Sequence, residues 1–362
     1  MTAPRIDQVI PSLASRDAIG GHVLQLRDLL RNRGFQSDIF YGNATADRLD
    51  SGYPVERLGD RSSTDRVLLY QLSIGSGVGD IFRDRSERKF VNYHNITPAD
   101  LLEPWIPAVG EEVRWGRAQL EALAPVTEFA VADSRFNEQE LIDAGYPSTT
   151  TVPLLIDLEG FAGQPDPVLA ARLAAEQAGG GTSLLFVGKV SPHKAQHDLV
   201  KALAAYRQLY DGKARLRLVG GAISEDYRVA VERFADELGL LDAVEVAGSV
   251  THEELIAYYA ATDVFVCLSN HEGFCVPLLE AMYHRVPIVA HTSTAVPETV
   301  DGAGLVLPEK SPALVAAAIN RVVSDDQLRA ALARRAGERV ASFSLERVRA
   351  SFASALESAY AV

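Results

Sequence analysis

Short apolar runs rich in β-branched and aromatic residues alternate along this chain with amphipathic stretches of helical period. Residues 6–10 read as a strand. Residues 22–33 read as a helix, with Val23, Leu24, Leu26, Leu29 and Leu30 on its apolar face and Gly34 as its stop. Further buried strands are predicted over 36–41, 67–72, 89–93, 129–132 and 150–153. Strands that recur between helical runs imply parallel pairing and a doubly wound sheet.

Residues 157–167, rich in Gly, Pro and Asp, interrupt this rhythm, which restarts after Gly179-Gly180-Gly181. Strands at 184–187, 215–219, 244–246, 264–268 and 287–290 then alternate with helices at 197–210, 227–238, 253–260 and 277–284. The pattern predicts an α/β protein of two Rossmann-like domains, 1–160 and 161–343, with a final helix in 344–362 that crosses back to the first. The default ligand site of such a chain is the cleft between the domains, where strand C-termini and helix N-termini converge.

Composition narrows the class of function. A chain of 362 residues suits two cores better than one. Its net charge of −13 offers no positive field for a nucleic acid. Only six of the 35 basic residues are lysine, and Lys189, Lys194 and Lys201 are three of them. The two cysteines, Cys267 and Cys275, share one apolar segment, which reads as small buried thiols in a reduced, cytoplasmic chain. The first twelve residues lack the pattern of a signal peptide, and there is no run of about 18 apolar residues to span a membrane. Peripheral contact with the inner face of the cell membrane stays open through residues 112–117 or the charged run 83–89; the expected reading of both is a solvated helix face.

The strongest chemical signal is His271-Glu272-Gly273-Phe274-Cys275-Val276-Pro277-Leu278-Leu279-Glu280-Ala281-Met282. It follows a predicted strand and opens a helix with Pro near its start. The amides of Gly273, Phe274 and Cys275 therefore stand at a helix N-terminus, which suits an anion or sugar hydroxyls. Glu272 lies before the helix and Glu280 about one turn inside it, leaning back toward the same end. A carboxylate set among Val, Pro, Leu, Ala and Met needs a partner. A second signal, Gly188-Lys189-Val190-Ser191-Pro192-His193-Lys194, places two cations five residues apart on a loop after a strand, where they can bracket a diphosphate. Weaker signals are Gly20-Gly21, read as a loop between the first strand and helix, with a tight turn as the equal alternative; His94 at a strand end, otherwise a structural histidine; and Arg135 as a cleft or surface charge.

These motifs resemble those of retaining GT-B glycosyltransferases of family 4. Glu272 and Glu280 form the E-x7-E pair, and the residues from Arg285 to Ala290, Pro297-Glu298 and Gly302 to Val306 also match. The resemblance is strong over the second domain and covers the first mainly at Gly20-Gly21, His94 and Ser134. It implies the GT-B fold and transfer of a hexose from a nucleotide-diphosphate sugar, GDP-mannose or a UDP-hexose first, to an unidentified acceptor with retention of configuration. It also implies that Lys189 and Lys194 stabilise the leaving diphosphate, Glu272 holds the sugar and Glu280 the ribose, and His94 contacts the sugar. Ser249 and Val250 resemble the loop that meets the base. No cofactor and no divalent metal are expected, since the lysines can replace the cation. Departures from the family pattern are Lys189 in place of Arg, Leu155-Ile156 before Asp157, and Thr294-Ala295 where Gly-Gly is usual. An epimerase or disaccharide synthase of the same fold, and a non-catalytic nucleotide-sugar binder, are the competing readings.

Overall fold

A computed structural model describes residues 4–14, 17–59 and 66–361. The chain divides into two compact units: Met1–Glu103 with Pro107–Asp157 and Phe343–Val362, and Pro104–Ile106 with Leu158–Ser342.

The first unit contains strands β1 (Arg5–Leu13), β2 (Ile39–Ala44), β3 (Tyr53–Pro54), β4 (Arg66–Leu72), β5 (Arg88–Tyr93), β6 (Phe129–Ala132) and β7 (Thr149–Thr151). They form one parallel sheet in the order β3-β2-β1-β4-β5-β6-β7. Every residue of β4 is buried, because both faces of the sheet are covered. Its side chains divide with the period of a strand. Leu68, Tyr70 and Leu72 pack with Phe82, Val113 and Leu120, whereas Val67 and Leu69 pack with Leu26 and Phe90. The C-terminal helix Leu345–Ala361 completes that second face, inserting Val348, Phe352 and Leu356 beside Ile6 and Leu26. Arg88 closes its end by donating to the carbonyls of Ala359 and Tyr360 at 3.1 and 2.9 Å.

Two expectations for this unit are corrected. The first helix begins at Ala18, so Gly20 and Gly21 lie in its opening turn and not in a loop. Asp17 caps it, accepting from the Gly20 amide at 3.2 Å. A Cβ on Gly20 would stand 2.5 Å from the Ala14 carbonyl oxygen, whereas one on Gly21 would meet nothing within 4 Å. Gly20 is thus a packing requirement of the helix against the end of β1. The run 83–89 is no solvated helix face either. It crosses a helix end, a turn and the start of β5, and both Glu87 and Lys89 are buried, Glu87 against Arg85 and Lys89 against backbone carbonyls.

The second unit contains β8 (Ser183–Val187), β9 (Arg215–Val219), β10 (Val244–Gly248), β11 (Val264–Cys267), β12 (Ile288–His291) and β13 (Gly304–Leu307), ordered β10-β9-β8-β11-β12-β13 and all parallel. The loops leaving β8, β9 and β10 press together. The Gly188 amide donates to Val219 O at 2.9 Å, Gly220 to Gly248 O at 2.8 Å and Val190 to Gly221 O at 3.0 Å. Gly220 has φ 143°, and a Cβ there would lie 2.1 Å from Gly188 O, so only glycine fits. Among the described residues no helix is long and apolar enough to cross a membrane.

Candidate active site

The predicted donor residues of the second unit follow β8 and β11, apart from Ser249 and Val250, which follow β10. The helix Val276–Tyr283 begins after Cys275, which sits at φ 70°, ψ 68° and makes no side-chain cap. This left-handed turn reverses the chain, and Pro near the helix start fixes the entry. Glu272 lies just before it and is buried. Its carboxylate accepts from the Lys194 ammonium at 2.6 Å, with side-chain exposures of 5% for Glu272 and 19% for Lys194. Burial opposes the charge on Lys194, yet the adjoining Glu272 carboxylate holds its pKa above the ordinary lysine value. The lysine therefore stays charged while one edge of it remains open to a ligand.

Lys189 is exposed at the other end of the loop. Burial first, then the charges of Lys194, His271 and Lys189, push the His193 pKa well below its usual value, so both lysines stand within electrostatic reach of that ring. The loop is braced from beneath by Gln196, whose amide donates to Lys189 O at 3.0 Å and accepts from the Ser191 amide at 3.3 Å. Gly188, at φ 153°, begins the loop, and Ser249 packs on the neighbouring Gly221. Val250 follows it, half-buried.

Glu280 lies about one turn inside the same helix. The Tyr259 hydroxyl donates to it at 2.8 Å and reaches Pro277 O at 3.4 Å, so the carboxylate leans toward the helix start. Burial raises the Glu280 pKa, and the bond from Tyr259 offsets part of that rise. The two thiols complete the cluster. Cys267 and Cys275 are both free and buried, and a hydrogen bond between them lowers the Cys267 pKa and raises that of Cys275.

Several residues that hold this arrangement escaped the sequence reading. Thr294, noted only as a departure, has φ 46°. Its hydroxyl accepts from the Glu272 amide at 2.8 Å and donates to the Glu272 carbonyl at 2.6 Å. Where Gly-Gly is usual, a hydroxyl here pins the backbone of the key carboxylate. Lys310 donates to Leu268 O at 3.2 Å, to Asn270 Oδ1 at 2.5 Å and to Asp198 at 2.7 Å, tying the loop after β11 to the helix Gln196–Leu209. The lysine scarcity that singled out Lys189 and Lys194 also covers Lys310. Tyr259 carried no signal, standing in an apolar helical run.

In the first unit, His94 follows β5 with its side chain 1% exposed. Nδ1 meets Asp133 Oδ2 at 2.7 Å and Nε2 meets Gln71 Oε1 at 2.6 Å. Gln71 in turn donates to Gln8, and Gln8 to Val23 O, both at 2.9 Å. A sugar contact through the ring would require one of these bonds to be given up. His22 stands edge-on to His94 at 5.3 Å between ring centroids. It accepts from the Leu155 amide at 3.0 Å and bonds Asn92 at 2.9 Å. Burial, then the neighbouring His94, keeps the His22 pKa well below normal. Leu155, at the Leu-Ile-Asp departure, thus anchors its segment on a buried histidine. Arg135 is exposed in the first turn of the helix Arg135–Asp143, which Ser134 caps.

Two parallel Rossmann-like sheets in succession, the second carrying a lysine–glutamate pair beside a helix start, are the architecture of the GT-B fold. Residues 174–339, which lie within the second unit, match the family model of glycosyl transferases group 1. Among individual relatives, the chain is 30% identical over 233 residues to the GDP-mannose-dependent alpha-(1-6)-phosphatidylinositol monomannoside mannosyltransferase of Mycobacterium tuberculosis, covering 60% of this chain and 59% of that one. It is 33% identical over 260 residues to the D-inositol 3-phosphate glycosyltransferase of Geodermatophilus obscurus, covering 68% of this chain and 54% of that one. The chain thus spans less than two thirds of the length of these curated relatives. In fold it is similar to Anabaena HepE in complex with UDP and glucose, with TM-score 0.77, 18% identity, and 98% and 99% of the two chains covered. Sucrose-phosphate synthase of Thermosynechococcus elongatus gives TM-score 0.75 at 19% identity, with 99% of each chain covered.

Proposed function

We propose that this chain transfers a hexose from a nucleotide-diphosphate sugar to a glycan, lipid or small-molecule acceptor, with retention of anomeric configuration. The observation that carries the reading is the Lys194–Glu272 pair at 2.6 Å at the head of the helix Val276–Tyr283, inside a group 1 domain. Lys194, Lys189 and the amides of Gly273, Phe274 and Cys275 take the diphosphate. Glu272 takes the sugar hydroxyls, Glu280 the ribose, and the loop at Ser249 and Val250 the base. Because the mannosyltransferase relative is named for GDP-mannose and HepE was solved with UDP-glucose, these two donors come first.

In this reading the acceptor hydroxyl attacks the anomeric carbon on the face the diphosphate leaves. The departing phosphate oxygen accepts the hydroxyl proton while the two ammonium groups stabilise its growing charge. With the charge met by lysines, transfer needs no divalent cation and no cofactor. His94 acts by position, through Asp133 and Gln71.

The test is a thermal-shift screen of GDP-, UDP-, dTDP- and ADP-sugars on the full chain, followed by assay of nucleoside diphosphate release with and without acceptors. Stabilisation by at least one donor and acceptor-dependent release are expected. A chain that none of the four nucleotides stabilises would overturn the proposal.

A further inference from the structure

Cys267, Glu272 and Cys275 lie at the heart of the second unit's site, and their ligand atoms all fall within 4.8 Å of one another. All three are buried, at 0, 5 and 8% exposure. Transfer as proposed above uses the carboxylate but has no use for the thiols. We infer that these three side chains form a binding site for a soft divalent cation of the zinc kind, which restrains the donor loop when it is filled.

The donor set selects the cation. Two sulfurs and one carboxylate oxygen suit Zn²⁺ or Cd²⁺ and are poor ligands for Mg²⁺, which takes oxygen in an octahedral shell. Three protein ligands leave a fourth tetrahedral position for water or another small ligand. The sequence supplies the rigid frame: Cys267 ends β11 and Cys275 is the left-handed residue that opens the helix, so Glu272 is carried on the loop between two fixed points.

Charge supports the same conclusion. In the structure Lys194 and Glu272 cancel, beside two thiols. Binding follows two thiols plus M²⁺ giving an M²⁺-bound dithiolate plus two protons. Two positive charges enter as two leave, so the buried cluster keeps its net charge. Glu272 has two oxygens, so Lys194 can remain on Oε2 while Oε1 turns to the cation. The cost is to function. A Glu272 held by a cation cannot turn to a sugar, and a cross-linked loop cannot adjust to a donor.

The experiment titrates Cd²⁺ into the full chain, kept reduced with a phosphine, and follows the ultraviolet sulfur-to-cadmium charge-transfer band together with proton release in weak buffer. One saturable ion and about two protons per chain are expected, from the ligand deprotonation that metal binding requires. Cys267→Ser should weaken binding by more than about a hundredfold, beyond what loss of an outer-shell partner usually produces. Cys275→Ser serves as a second variant, and melting curves identify any that fails to fold. Absence of the band, fewer than one proton per ion, or a band that titrates with undiminished affinity in a folded Cys267→Ser or Cys275→Ser chain would overturn the inference. These readouts do not depend on the proposed transfer. Where transfer is observed, Zn²⁺ should suppress it and a chelator should restore it. A chain that binds Cd²⁺ but transfers no sugar would refute only the proposed function.

Discussion

In the proposed reaction Lys194 is shared between Glu272 and a diphosphate, and that sharing can be measured. The ammonium has three protons and gives one to Glu272 at 2.6 Å, leaving the rest for a diphosphate. Lys194→Ala removes both interactions. A hydrogen bond to a charged group contributes about 1.5–3 kcal/mol, so GDP or UDP should bind roughly ten- to a hundredfold more weakly. The same change leaves Glu272 buried without its cation. Breaking a fully buried pair costs about 3–5 kcal/mol, and the partial opening at Lys194 places this case near the lower end, about 3. At roughly 2–4 °C per kcal/mol for a unit of this size, the melting temperature should fall by about 6–12 °C. Glu272→Gln acts differently. It removes the competing charge and leaves the ammonium to the phosphate, so nucleotide affinity should hold or rise while transfer collapses. Calorimetric titration of GDP and UDP into both variants, beside product assays, reads the two effects separately. If Glu272→Gln weakens nucleotide binding as much as Lys194→Ala, the lysine does not meet the phosphate on its own account, and the reasoning fails.

Other outcomes follow from the same geometry. Burial raises the Glu280 pKa, so the folded chain binds that proton more readily than the unfolded one, and ionisation removes stability as pH rises through the folded value. Glu280→Gln keeps an acceptor for Tyr259 and should therefore melt higher than the parent at pH 7–8, with the gain shrinking as pH falls toward the ordinary carboxyl value of about 4.3. Its nucleotide affinity should drop, which calorimetry would show. Gly20→Ala forces a Cβ to 2.5 Å from a backbone oxygen and should cost about 1–3 kcal/mol, whereas Gly21→Ala, with open space on a helix, should gain about 0.5–1 kcal/mol; denaturant unfolding of the two decides. Transfer by chain prepared without added metal should be unchanged by a chelator.

Much of the fold was legible because the strands are buried on both faces and so appear as unbroken apolar runs. The strands at 129–132 and 215–219 fall where the pattern put them. Helix starts were harder. The turn Ala18-Ile19-Gly20-Gly21 looks like a loop because glycine normally breaks helices, and only the approach of Ala14 shows why one is needed there. The helix Gly77–Asp84 hid for the same reason, since Gly79 lies against Gln119. Around the site, residues that carry charge in an unusual context stood out, as Glu280 did among apolar neighbours. Partners that act through one hydroxyl or amide were not legible as such: Tyr259 and Gln196 left no trace and Thr294 showed only as a departure, because their role depends on residues 21, five and 22 positions away.

The tail that seals one face of the first sheet also dictates an order of events during synthesis. Val348, Phe352 and Leu356 are made more than 300 residues after Ile6 and Leu26, which they cover. A nascent chain usually matures from its N-terminal end. Here the stretch around Ile6 and Leu26 must wait, with an oily surface bare, while the second unit behind it is able to finish. Losing the helix Leu345–Ala361 would thus harm residues far earlier in the polypeptide, and refolding from denaturant should show Ile6 and Leu26 settling late.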